Sequence, residues 1–91
     1  MAPEKVYFRG KNILRRTVGG KEMIVDIGKQ TFYQLNTAGT FVWGQINGSR
    51  CTGEIAAKVA KRFGLPEGRA REDVESFLKS IEKEKLVRLK D

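Results

Sequence analysis

The first half of the chain carries short runs of β-branched and apolar residues that predict strands. Residues 13–18 (ILRRTV) and 22–27 (EMIVDI) are separated by Gly19-Gly20. Because consecutive glycines tolerate the positive φ of a tight turn, these two runs predict a β-hairpin. A second break at residues 28–30 leads into residues 31–35 (TFYQL), so the pattern predicts a three-stranded antiparallel meander.

From Asn36 onward the apolar positions recur at helical spacing. Asn36 is a suitable N-cap for a first helix that ends at residues 47–49. Phe41 points away from its apolar face, which consists of Ala38, Gly39, Val42, Trp43 and Ile46. We interpret Trp43 as packing this helix against the sheet.

Two further helices follow. One begins at Thr52 and closes at Gly64, with Lys58, Lys61 and Arg62 on its solvent side and an apolar stripe of Ile55, Ala56, Val59, Ala60 and Phe63. After a turn at residues 65–68, the other runs to about Glu84 with Ala70, Val74, Phe77, Leu78 and Ile81 along one side.

The order of these elements predicts an α+β fold in which three strands precede three helices. The last two helices are joined by a short turn, as in a helix-turn-helix. Leu86, Val87 and Leu89 form an apolar tail that is a candidate last strand. Residues 1–12 are mostly polar and are expected to be loosely ordered.

Length and composition limit the classes of protein. Ninety-one residues make one domain. A single cysteine and no histidine exclude an internal disulfide and a common zinc site, so a reducing, cytoplasmic compartment is expected. No apolar run approaches the roughly 20 residues that cross a bilayer, and the first residues lack the apolar segment of a secretion signal.

Residues for catalysis are scarce. The chain has no histidine to act as a general acid or base. Cys51 has no partner base, and Gly19-Gly20-Lys21 lacks the spacing and the following helix of a phosphate-binding loop. The acids of the third helix alternate with bases, as on a solvated face. We therefore expect no enzyme activity, cofactor or metal.

Binding remains, and the third strand is its candidate site. Residues 31–35 contain no proline, glycine or charge to discourage pairing with another extended chain. Alternation places Thr31, Tyr33 and Leu35 on one face and Phe32 and Gln34 on the other. For Phe32 and for Tyr33, packing in the core or at its rim is an equal alternative to a role in binding. A homodimer that pairs through this strand is a further possibility.

Two stretches of the sequence resemble the PqqD-like family of RiPP recognition elements, which bind leader peptides of ribosomally made natural products. They are YQLNTAGTFVW and TGEIAAKVAKRFGLPEGRAREDVESFLKSIEKEKLV. The resemblance covers residues 13–89, and we assign residues 13–91 to one PqqD-like domain. Lys85 departs from the pattern, because the family often has glycine at this helix end.

The resemblance implies a winged helix-turn-helix that binds a leader peptide as an added β-strand and presents it to a processing enzyme, either a lasso-peptide leader protease or a radical SAM enzyme of pyrroloquinoline quinone type. The leader would lie between the third strand and the third helix. The implied peptide-binding residues are Thr31, Phe32, Tyr33, Gln34, Leu35, Arg71, Val74, Phe77, Leu78, Lys79 and Ile81. Val74, Phe77 and Ile81 are also compatible with a purely core role.

A winged-helix nucleic-acid-binding protein is the alternative function. The net charge of +7 and the helix-turn-helix order favour it. Residues 69–85, however, carry five basic and five acidic side chains, so phosphates would meet repulsion as often as attraction there. The charge excess lies in residues 1–50, with eight basic side chains against three acidic ones. We therefore expect no nucleic-acid partner.

Overall fold

A computed structural model describes residues 5–90. Within this range no helix is long and apolar enough to cross a membrane. The elements are, in chain order, β1 (Tyr7–Arg9), β2 (Ile13–Val18), β3 (Lys21–Asp26), β4 (Thr31–Leu35), α1 (Thr37–Gln45), α2 (Thr52–Phe63), α3 (Glu67–Lys83) and β5 (Val87–Leu89).

The main sheet has the order β2-β3-β4, and both pairings are antiparallel. Gly19 and Gly20 have φ values of 58° and 80°, the positive values that a tight hairpin turn requires. Three helices follow this sheet, so the α+β class and the winged helix-turn-helix order are confirmed. The hairpin of β2 and β3 is the wing.

The helices cover one face of the sheet and bury its middle strand. Ile24 of β3 is fully buried, and its neighbours in register are Arg15 on β2 and Tyr33 on β4. The largest buried side chains around Ile24 are Trp43, Ile46, Ile55, Val74, Leu78, Leu86 and Val87. The predicted structural roles of two residues are confirmed: Trp43 lies in the core, and the Asn36 side-chain oxygen accepts the Gly39 N–H at 2.7 Å.

A second, two-stranded sheet joins the two ends of the described chain. β1 pairs antiparallel with β5, with Tyr7 opposite Leu89. The Gly48 N–H donates to the Tyr7 carbonyl at 3.1 Å, and the Thr52 N–H donates to the Lys5 carbonyl at 2.9 Å. The segment is therefore bonded to two different parts of the chain.

This pairing differs from the expectation that residues 1–12 are loosely ordered. Tyr7 is a core residue, only 3% exposed, and its hydroxyl lies 3.5 Å from a carboxylate oxygen of Glu82. Burial raises the pKa of the Tyr7 phenol, and the charge of Glu82 adds to this effect. Residues 1–4 lie outside the described range.

The C-terminal end of α3 shows the consequence of a lysine, rather than a glycine, at residue 85. The Leu86 N–H donates to the Ile81 carbonyl and the Lys85 N–H to the Glu82 carbonyl, both at 2.9 Å. These are the two bonds of a Schellman motif, in which the residue after the C-cap is left-handed. Lys85 has a φ of 62° accordingly, a conformation that its Cβ makes unfavourable.

We expect Lys85→Gly to stabilise the protein. Glycine removes the Cβ clash, and part of that gain is offset by the greater flexibility of glycine in the unfolded chain, so the free energy of unfolding should rise by about 0.5–1 kcal/mol. Urea denaturation followed by circular dichroism measures the change. Lys85→Ala is the control, because it removes the charge and keeps the Cβ; an equal gain in Lys85→Ala would refute the explanation.

Candidate functional site

β4 lies at an edge of the main sheet. Its inner neighbour is β3, and the C-terminal strand β5 pairs with β1 instead. Across residues 5–90, therefore, no strand pairs with the outer edge of β4. Alternate backbone N–H and C=O groups of such an edge are available to an extended chain. The last described strand, β5, therefore does not cover the predicted binding strand.

The two faces of β4 differ in what they contact. Tyr33 and Leu35 are partly buried and pack against the core. Phe32 points to the opposite face, where it is 68% exposed, in register with Val25 and Leu14 of the neighbouring strands. Tyr33 is therefore a rim residue of the core, whereas Phe32 is a solvent-exposed aromatic.

Tyr33 spans the space between β4 and α3, which we call the groove. Its hydroxyl donates to a carboxylate oxygen of Glu84, the C-cap residue of α3, at 3.3 Å. Lys29, in the turn before β4, donates from Nζ to the Glu84 backbone carbonyl at 2.7 Å and lies 3.8 Å from a carboxylate oxygen of Asp26. These contacts hold the C-terminal end of α3 beside the start of β4.

At its other end the groove meets an apolar pocket of about 240 Å³ between the first turn of α1, the C-terminal part of α2 and the N-terminal half of α3. Asn36, directly after β4, is at its rim. The other lining residues are Ala38, Gly39, Val42, Val59, Phe63, Leu65, Asp73, Val74 and Phe77. Most of these side chains are apolar, so the pocket suits an apolar side chain of a ligand.

Close contact between α1 and α3 shapes this pocket. A Cβ at Gly39 would lie 3.2 Å from Cε1 of Phe77 and 3.1 Å from the Asn36 side-chain oxygen. Glycine at this position therefore permits both the approach of the Phe77 ring and the Asn36 cap. The position of Phe77, which forms a wall of the pocket, therefore depends on residue 39 having no side chain.

The predicted site residues of α3 are divided between several environments. Leu78 and Ile81 are buried in the core, and Val74 is buried where the core meets the pocket. Phe77 is the partly buried member of the group, and it packs at the surface of the core. The structure thus brings Val74 and Phe77 to the pocket beside residues 31–35.

Arg71 and Lys79 lie elsewhere. Arg71 lines a separate cavity of about 260 Å³ together with Gly53, Ala56 and Ala57 of α2. Lys79 is exposed and is two residues, or about 200° around the helix, from Phe77. The charged groups beside β4 are instead Lys29 and Glu84, with Asp73 at the pocket.

Sequence reasoning assigned no binding role to Gly39, Asn36 or Glu84. One signal was available for Glu84, because it lies seven residues after Phe77 and so on nearly the same line of α3. For Gly39 the signal was a glycine inside an otherwise apolar helix face, which often marks a close approach of two elements. Asn36 was interpreted as a cap alone, a role that it combines with a place at the pocket rim.

The fold and this site define a small winged helix-turn-helix domain with an open strand beside a helix-lined groove. The profile of the family described as "Coenzyme PQQ synthesis protein D (PqqD)" matches residues 22–87, most of the chain. The chain therefore belongs to the PqqD family. No curated protein sequence matches it significantly.

Two solved structures share the fold. One, described as TbiB1 in complex with the TbiA(beta) leader peptide, is 12% identical with a TM-score of 0.79, over 89% of this chain and 94% of that one. The other, described as lasso peptide synthetase B1 complexed with the leader peptide, is 11% identical with a TM-score of 0.81, over 90% and 96% of the two chains.

Gly39→Ala should destabilise the protein. The added methyl group would push Phe77 and the Asn36 side chain, and overpacking of this kind typically costs about 1–3 kcal/mol. Gly44→Ala is a matched control on the same helix, because its Cβ would meet only Arg15 Nη1 at 3.7 Å. That variant should be more stable by up to about 1 kcal/mol through helix propensity. Thermal unfolding of both compares them, and equal shifts in one direction would contradict the role of Gly39.

Proposed function

We propose that this protein is a non-catalytic adaptor that binds the leader segment of a ribosomally made precursor peptide and presents it to a processing enzyme. The open edge of β4, beside the groove and its apolar pocket, is the observation that carries the proposal. Membership of the PqqD family and the shared fold of two leader-bound proteins support it.

In this proposal the leader adds to β4 as a fourth antiparallel or parallel strand. Backbone hydrogen bonds to residues 31–35 contribute affinity without sequence preference, each netting roughly 0.5–1.5 kcal/mol. Specificity comes from alternate leader side chains that point toward the helices. One of them enters the apolar pocket beside Phe77, and another passes the Tyr33 hydroxyl and Glu84.

The finer assignments are part of the same proposal. The partner is either a lasso-peptide leader protease or a radical SAM enzyme, and we favour the protease because one of the two similar structures is of a lasso peptide synthetase B1 complexed with the leader peptide. Arg71 and Lys79 keep a place in it as charges outside the groove that attract an acidic leader without contacting it. The same edge of β4 can pair with a second copy when no leader is bound.

A variant that fills the pocket should lose leader binding. Ala38 is an exposed residue at the pocket, and a phenylalanine there would occupy the space meant for a leader side chain. Loss of one apolar anchor at the centre of an interface typically costs about 2 kcal/mol, so Ala38→Phe should weaken affinity by at least about tenfold. Fluorescence anisotropy with the labelled leader of a precursor encoded beside this protein measures the affinity.

Ala57→Phe is the matched control for this experiment. Ala57 is an exposed alanine of α2 outside the groove, so the same gain in size there should leave leader affinity unchanged. Gln34→Pro tests the strand addition itself, because the register of the sheet directs the Gln34 N–H away from β3 to the open edge, and Gln34→Ala is the variant that keeps this N–H. Absence of saturable binding by the wild type at micromolar concentrations, or equal affinities of all variants, would overturn the adaptor proposal.

A further inference from the structure

A second cavity lies on the other side of α1. The hairpin of β2 and β3 stands over the outer face of this helix and encloses about 650 Å³. The α1 residues that line this cavity are Thr37, Thr40, Phe41, Gly44 and Gln45. They alternate along the helix with the α1 residues of the apolar pocket, which are Ala38, Gly39 and Val42. The two cavities therefore occupy opposite faces of α1, and a leader beside β4 and α3 leaves this one free.

Half-buried apolar side chains form the floor of this cavity. Leu35 comes from β4, Phe41 from α1 and Phe63 from the end of α2. The Phe41 and Phe63 rings meet edge to face, with centroids 5.8 Å apart. The helical pattern predicted that Phe41 points away from the core face of α1. Its contact with Phe63 in this cavity explains why an aromatic residue lies on that side of the helix.

Cationic side chains surround the floor. Arg15 extends from β2 across α1 near Gly44, and the Arg62 guanidinium lies 5.8 Å from the centre of the Phe41 ring. A shallower cavity of about 530 Å³ continues outward past Phe41 and Arg62 to Lys58 and Lys61. We call the two together the basic trough, defined by Arg15, Lys58, Lys61 and Arg62 around Leu35, Phe41 and Phe63.

Few acids oppose these charges. Glu22 is the acidic residue that lines the trough, and it is already engaged by the Arg15 guanidinium at 3.6 Å and the Thr17 hydroxyl at 2.8 Å. Glu54 lies one turn before Lys58 on α2, where its carboxylate accepts the Cys51 N–H at 3.1 Å. The trough therefore has a net positive charge beside an apolar floor.

We propose that the basic trough binds an acidic, extended segment of a second protein, with one apolar side chain of that segment placed on Phe41 and Phe63. The inference rests on the proposed adaptor function, in which that second protein is the processing enzyme. Carboxylates of the segment would face Arg15, Arg62 and the two lysines, and charge complementarity of this kind mainly raises the rate of association and the specificity.

Two features favour a polypeptide over a nucleic acid. A stacking platform for bases needs an open aromatic face. The Arg62 guanidinium lies over the Phe41 ring, and the Phe63 ring packs against Phe41 in an edge-to-face contact. The trough also has polar side chains of Thr37, Thr40 and Gln45 along its length, which can bond to the backbone of an extended segment.

An NMR titration tests the proposal on the full chain. The probe is the synthetic peptide Asp-Glu-Asp-Leu-Phe-Glu-Asp-Glu, added to the ¹⁵N-labelled protein at low salt. We expect amide shifts to cluster at residues 15, 20–22, 37–45 and 58–63, with saturation below about 1 mM. Shifts confined to the groove, or no saturable shifts at all, would overturn the proposal.

Two variants that each remove one charge should change the peptide affinity in opposite directions. Arg62→Gln removes a cation and should weaken binding by about threefold, as expected for one partly exposed charge pair. Glu22→Gln removes the opposing acid and should strengthen binding by a similar factor. Lys11→Gln, in the exposed turn before β2, makes the same charge change as Arg62→Gln outside the trough and should have no effect beyond that of net charge.

Further arms identify the ligand class and separate this proposal from the adaptor function. A peptide with the acids replaced by Asn and Gln, and one with Leu-Phe replaced by Ser-Ser, should each bind at least fivefold more weakly. Tighter binding of oligo(dT)₁₂ at the same residues would overturn the assignment to an acidic polypeptide. Leader affinity is measured on the same samples. Leader binding by the wild type without peptide binding at the trough overturns this proposal alone, and peptide binding at the trough without leader binding overturns the adaptor proposal alone.

Discussion

Pairing of the two chain ends decides which sheet edge stays open. β5 pairs with β1, and the paired residues Tyr7 and Leu89 are 82 residues apart in the sequence. That pairing is supported by the buried Tyr7 and by backbone bonds from Gly48 and Thr52 to the N-terminal segment. With β5 paired there, no strand within residues 5–90 pairs with the outer edge of β4.

Local signals predicted most of the fold. The Gly19-Gly20 turn, the Asn36 cap and the Gly64 end of α2 each depend on the conformational preferences of one or two residues, and each is found where the sequence placed it. The β1-β5 sheet was beyond such reasoning. Its first strand is a three-residue run whose stability comes from a partner at the far end of the chain, and no periodicity within three residues can show that partner.

The candidate site was predictable in its strand and only partly in its helix. An uncharged strand at the end of a meander identifies an open edge, because connectivity alone leaves β4 with one neighbour. The apolar stripe of α3 identifies the buried side of that helix, which contacts α2 and the core as well as the groove. Which residues of the stripe face the pocket depends on how α3 crosses the sheet. In the structure, Phe77 lies at the pocket, whereas Leu78 and Ile81 lie in the core.

α1 separates two surfaces of different chemistry. On one side its first turn presents Ala38, Gly39 and Val42 to an uncharged pocket that adjoins the open strand. On the other side Phe41 and Gln45 meet a hairpin and an α2 face that carry arginine and lysine. The proposed adaptor would hold its peptide and its enzyme at the same time, which requires a separate surface for each. A nine-residue helix with apolar contacts on both sides satisfies this requirement, and Asn36, the residue directly after β4, lines both cavities.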